Sequence, residues 1–140
     1  MKTIIERKTL QDVSLEVNVP PAIKSGLPVP ITMTLINLSN QVFTYGEFGD
    51  FAECQMELVN KQSRVSPTAF GSRFSKDSTN IGQFAIMQLA CGESVSWTQN
   101  FCDCFELDEG NYELSLSVQL KDPNGEIVFL KVNDLAFEIL

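Results

Sequence analysis

The chain has 140 residues, 44% hydrophobic and 20% charged, with ten Lys and Arg against eighteen Asp and Glu, a net charge of −8. That length suits one domain rather than two, and the composition is that of a folded chain rather than a disordered one. The acidic balance repels phosphate backbones, and no apolar run nears the roughly 20 residues of a membrane span, so neither nucleic acid nor membrane is expected as a partner.

The first residues, Met1 to Lys8, place charges where a signal peptide holds its apolar core, so a cytoplasmic location is expected of the chain as it stands. A mature form that had lost a leader, working outside the cytoplasm, would read the same. Residues 1–12 suggest an N-terminal arm or an extra edge strand, and residues 13–140 a single domain. Val13–Val19 alternates, with Val13, Leu15, Val17 and Val19 on one face. Pro20-Pro21 ends it, because proline donates no ladder hydrogen bond. After a turn at Lys24-Ser25-Gly26, Val29 to Leu35 alternates again, and Asn37-Leu38-Ser39-Asn40 is turn chemistry.

Gln41–Tyr45 predicts a short strand leading into the aromatic loop Gly46–Phe51. Glu53–Val59 alternates, and Asn60-Lys61-Gln62-Ser63 predicts a hairpin. From Ser66 to Gly82 the chain turns polar, with a small strand expected near Thr68–Phe70. Phe84–Leu89 is apolar, Cys91-Gly92-Glu93 is a turn, and Val95 and Trp97 share one face of a strand ending near Phe101. Cys102–Leu107 is expected to be extended. Tyr112–Leu120 is the clearest strand: Tyr112, Leu114, Leu116, Val118 and Leu120 point one way, Glu113, Ser115, Ser117 and Gln119 the other. Lys121-Asp122-Pro123-Asn124-Gly125 predicts a hairpin, since Asn-Gly accepts the positive φ of a tight turn. Glu126–Val132 and Leu135–Ile139 then read as two strands around a bend at Asn133-Asp134, the last as an exposed edge that could pair with a second copy or an extended peptide.

No helical period is sustained anywhere. Recurrent short strands with turns between them predict an all-β antiparallel sandwich of seven to nine strands. Three segments carry a resemblance: Pro28 to Asn37 after a glycine-containing loop, Leu89 to Trp97 with its Gly92-Glu93, and Leu107 to Tyr112 with its Asp108-x-Gly110-x-Tyr112. Together they resemble immunoglobulin-like modules of bacterial proteins, and they are similar to the intracellular proteinase inhibitor (BsuPI-like) family. The resemblance implies an immunoglobulin-like sandwich in which Tyr112 anchors a tyrosine corner, with Asp108 and Gly110 shaping the turn before it and Trp97 in the core. Antibody domains place a disulfide cysteine two residues after that tyrosine. Here Leu114 stands there, so no core disulfide is expected.

The chain has no histidine, which removes the usual general base and the commonest metal ligand, and it lacks a glycine-rich phosphate loop. It is read as a non-enzyme without cofactors. The four cysteines, Cys54, Cys91, Cys102 and Cys104, read as small hydrophobes with free thiols and no bound metal. The sharper alternative is a two-thiolate clamp: on an extended strand Cys102 and Cys104 would share a face, roughly 6.6–7 Å apart. The acidic set Glu106, Asp108 and Glu109 could hold calcium, but it lacks the spacing of a calcium loop, and Asp108–Gly110 already has a turn role. Candidate binding residues are Tyr45, Phe48 and Phe51, with Phe43, in the aromatic loop, where rings could anchor a partner, and Arg73 in the polar loop. The expected function is therefore recognition of an unidentified protein partner through loops or a sheet edge, an edge-strand homodimer included. The alternatives are proteinase inhibition and carbohydrate binding through exposed aromatics.

Overall fold

The computed structural model of the chain describes residues 4–10, 12–48, 51–60, 62, 64–68, 70–74 and 85–140. In chain order the strands begin with β1 (Ile4–Leu10), β2 (Val13–Val19), β3 (Ala22–Ile23) and β4 (Pro30–Asn37), followed by β5 (Phe43–Phe48), β6 (Phe51–Ala52) and β7 (Gln55–Asn60). Then come β8 (Ser66–Pro67), a 3-10 turn at Gly71–Phe74, β9 (Ala85–Leu89), β10 (Ser94–Asn100) and a 3-10 turn at Phe101–Asp103. The chain ends in β11 (Phe105–Glu106), β12 (Gly110–Lys121) and β13 (Ile127–Ile139). Among the described residues the architecture is all-β, and all four cysteines are free.

A four-stranded sheet runs β1-β2-β4-β10, every neighbour antiparallel. A seven-stranded sheet is built on the β12–β13 hairpin. β3 pairs parallel to the end of β13, and β7 and β5 pair with the other edge of β12. β6 and β9 extend β5. β8 and β11 form a small separate ladder.

The period-two alternation explains the core. Val13, Leu15, Val17 and Val19 of β2, Ile31, Met33 and Leu35 of β4, and Leu114, Leu116, Val118 and Leu120 of β12 all lose their water together in one cluster. The residues between them face outward. On the outer face of the first sheet Thr32 meets the Thr98 hydroxyl at 3.0 Å and Thr34 meets that of Ser96 at 2.8 Å, tying β4 to β10.

The turn before β12 is closed by Tyr112. Its hydroxyl donates to the Asp108 carbonyl at 2.8 Å and accepts from the Asp108 N–H at 3.0 Å. Gly110 has φ +148°, and a Cβ there would lie 2.9 Å from Nδ2 of Asn60. The Tyr112 ring stacks on Phe137 at 5.4 Å, and Phe101 packs against both Phe137 and Phe105. After β12 the Asp122 carboxylate accepts from the N–H groups of Asn124 and Glu126, both at 2.9 Å, and Gly125 supplies φ +80°.

Several expectations need correction. The strands on either side of Asn60-Lys61-Gln62-Ser63 do not pair as a hairpin, for β7 pairs with β12 and β8 with β11, and Lys61 and Ser63 lie outside the described residues. The strand expected near Thr68–Phe70 lies earlier, at Ser66–Pro67. Glu126–Val132 and Leu135–Ile139 are one strand, β13, interrupted by a bulge. Nor is the end of β13 a free edge. Glu138 and Ile139 pair with Ala22 and Ile23, and the Leu140 N–H donates to the Ile23 carbonyl at 2.8 Å. The two prolines after β2 carry the chain across from one sheet to the other, which places β3 there.

Cys102–Leu107 is not one extended strand either. The Asn100 side-chain oxygen accepts from the Cys102 N–H at 3.1 Å and the Val29 N–H at 3.0 Å, and the chain winds into a 3-10 turn. Cys104 is therefore buried while Cys102 is exposed, and the two thiols do not share a face.

Candidate functional site

The most distinctive feature of the seven-stranded sheet is a split beside β12. β7 pairs with β12 from Tyr112↔Asn60 to Ser117↔Gln55, and β5 touches it again at Lys121↔Thr44. Four steps along β12 thus face eleven along its partner, from Thr44 to Gln55, an excess of seven. β5 and β7 are two halves of one strand position with an inserted segment between them. The Glu53 N–H closes the base of the insertion by donating to the Gly46 carbonyl at 2.8 Å. Between the halves, Val118 to Leu120 have no ladder partner on this edge among the described residues.

A cavity of about 300 Å³ opens over the split. β12 contributes Ser117, Gln119 and Lys121 from its outward face, and β5 contributes Thr44 and Gly46. Gln55 and Glu53 stand on the far side. The two ends of the trough are apolar. Phe129, opposite Gln119, is 43% exposed, and Ile86, opposite Gly46, is 68% exposed. Continued register would set Gly46 against Gln119. Phe129, Gln119, Gly46 and Ile86 all line the cavity, with Gly46 adding no side chain to it.

Beneath the trough lies Tyr45, 6% exposed, its ring edge-on to Trp97 at 5.4 Å. Trp97 is buried and donates its indole N–H to the Glu47 carboxylate at 3.0 Å, which joins β10 of the first sheet to β5 of the second. Burial pushes the Tyr45 phenol above its ordinary value of 10.0, and the Glu47 and Glu93 carboxylates add to the rise. The phenol is therefore protonated at neutral pH.

Beside the trough, β9 forms the outer margin of the sheet. It pairs with β5 from Phe43↔Leu89 to Glu47↔Ala85, and among the described residues its other edge has no partner. Only Leu89 of its five residues is buried. Asn37 holds the end of β9 in place. Its fully buried side chain donates to the carbonyls of Gln41 at 2.8 Å and Leu89 at 3.0 Å, while its oxygen accepts from the Ser39 N–H at 2.9 Å. In the sequence Asn37 signals only a turn. That it also fastens a strand fifty-two residues later depends on pairing that no local pattern reveals.

Of the residues proposed from sequence, Tyr45 lies in the floor of this site, while the side chains of Phe48, Phe51 and Arg73 lie outside the described residues. Phe43 is buried in the core. Among the described residues no group of three metal-ligating side chains comes together, and no helix is long and apolar enough to cross a membrane.

No family model matches the chain, and no curated protein does. Solved structures do. One, the X-ray structure of Northeast Structural Genomics Consortium target SoR45, aligns over 98% of this chain and 82% of the other, with a TM-score of 0.50 and 12% identity. At that identity the likeness is one of fold alone, a many-stranded all-β architecture.

Proposed function

We propose that the chain is a non-catalytic, protein-binding module of immunoglobulin-like type, and that it takes up an extended segment of a partner protein along β9. The observation that carries this reading is the character of that edge. Exposed edge strands are usually guarded by charge, by proline or by a bulge. β9, Ala-Ile-Met-Gln-Leu, has no charge and no proline, and its register with β5 is unbroken. Among the described residues its outward N–H and C=O groups meet no other strand, so they can receive an added one, with Ile86 and Met87 on its two faces to meet the newcomer's side chains. The net charge of −8 favours a segment flanked by Lys or Arg. The immunoglobulin-like part of the reading is supported by the tyrosine corner at Tyr112 and by the crossing of the chain from β2 in one sheet to β3 in the other.

Proline placed along β9 tests it. In an antiparallel edge strand, consecutive residues direct their N–H groups alternately inward to the ladder and outward to solvent. Of Ile86→Pro and Met87→Pro, one therefore removes a ladder bond and the other only a free donor. Peptides selected from a displayed library should be enriched in alternating apolar residues. The proline variant that retains the native circular dichroism should lose their binding. Selected peptides that bind this variant as tightly as the parent would refute the edge as the docking site, as would a library that yields none.

A further inference from the structure

The trough over the split is a second site, and it rests on a different observation from the edge of β9. We propose that it binds a saccharide of one or two rings, the C–H face of a ring lying on Phe129 and its hydroxyl groups meeting Gln55, Gln119, Ser117 and Lys121.

The lining decides the chemical class by elimination. A volume of about 300 Å³ stands at the lower end of small-molecule sites, which suits one or two rings. A phosphorylated ligand would find one cation, Lys121, opposite a carboxylate, Glu53, on a chain of net charge −8. A wholly apolar ligand would strip water from the hydroxyls of Thr44 and Ser117 and the amides of Gln55 and Gln119 and return no hydrogen bond. A sugar ring has both parts: axial C–H groups that pack on an aromatic face, and a rim of hydroxyls that both donate and accept. Side-chain amides supply the matching donor and acceptor pairs, and the lysine ammonium adds donors to a ring or hydroxyl oxygen. These groups stand around a depression because the insertion holds β5 away from β12, and because Gly46 puts no side chain into it.

Titration of ¹⁵N-labelled protein with glucose, galactose, N-acetylglucosamine and cellobiose, each at millimolar concentration, provides the test. At least one of the four should give saturable amide shifts centred on Gln55, Ser117, Gln119, Lys121 and Phe129. Phe129→Ala and Gln119→Ala should each weaken binding roughly tenfold, the scale of one aromatic or hydrogen-bonded contact. Ile127→Ala, exposed on β13 but outside the cavity lining, should leave it unchanged. Both test residues are exposed, and retention of the native amide pattern verifies the fold of each variant. The proposal is overturned by the absence of saturable shifts with all four sugars, by shifts centred elsewhere, or by affinity indifferent to both substitutions. Peptide binding at β9 is measured separately, so the two proposals fail separately.

Discussion

Cys104 stands where the 3-10 turn at Phe101–Asp103 passes into β11, fully buried, with its carbonyl accepting from the Thr68 N–H at 2.9 Å. A Cβ on Gly71 would collide with that carbonyl oxygen, so the backbone at Gly71 is pressed onto this point and only glycine fits there. Burial, with a smaller contribution from the Asp103 carboxylate, pushes the thiol from 9.0 up to about 12. Below pH 9 the thiol is protonated in both folded and unfolded chains and has no effect on the balance between them. Between pH 9 and 12 the unfolded chain releases the proton while the folded chain keeps it, so stability falls, by at most about 1.4 kcal/mol per pH unit from this group. Urea titrations from pH 8 to pH 10.5 should therefore show a steeper alkaline loss in the parent than in Cys104→Ala; parallel curves would contradict this account. The sequence identified cysteine as a small buried hydrophobe, which describes Cys54 and Cys104 but not the exposed Cys91 and Cys102. A two-residue spacing implies a shared face only on a strand, and the Asn100 cap that makes this segment a turn depends on its contact with Val29, seventy-one residues away.

At the scale of elements, β13 shows what alternation reveals and what it conceals. Its buried residues are Val128, Leu130 and Val132, then Leu135, Phe137 and Ile139, a change from even to odd numbers. Read locally, that change looks like two strands and a bend. Paired with β12 it is one strand, in which Asn133 and Asp134 together face Ser115, because Leu114 pairs with Leu135 and Leu116 with Val132. Asp134 takes φ +57° to make the bulge. The extra residue is what keeps both halves of the strand facing the core. Deleting Asp134 would turn one half outward and expose three large side chains, at roughly 1.5–3 kcal/mol each, comparable to the whole stability of a small domain. The deletion variant should lose its cooperative urea transition, while Asp134→Gly, which keeps the residue and eases the positive φ, should be as stable as the parent or up to about 1 kcal/mol more so. A deletion variant that folds with native amide dispersion would show that something else sets the register. The strands themselves were legible because each has one dry face: Val13–Val19 and the core of Tyr112–Leu120 fall where the alternation places them. The two-residue strands β3, β6, β8 and β11 are too short to carry a period, and only tertiary pairing defines them.

For the molecule as a whole, the site arises from a length mismatch. Ser117 and Gln119 read in sequence as the wet side of an ordinary strand. Nothing local shows that Gln119 and Phe129 look across a gap, because the gap exists only through the pairs Lys121↔Thr44 and Ser117↔Gln55. The aromatic stretch from Gly46 to Phe51 marks the right neighbourhood for another reason: it forms part of the inserted segment. Removing residues 48–54 would set Glu47 opposite Val118 and Gln55 opposite Ser117 while preserving the alternation of faces, so that β5 and β7 become one continuous strand. Ladder bonds restored beside Val118–Leu120 should contribute about 1 kcal/mol each, offsetting part of what is lost with the β5–β6 pairing, the Glu53–Gly46 hydrogen bond and the burial of Cys54. The shortened chain should fold cooperatively with a β-type circular dichroism spectrum and keep peptide binding at β9, while losing the saccharide-dependent amide shifts. If it fails to fold, the insertion belongs to the core; if it folds and still shows those shifts, the trough is not where the sugar lies.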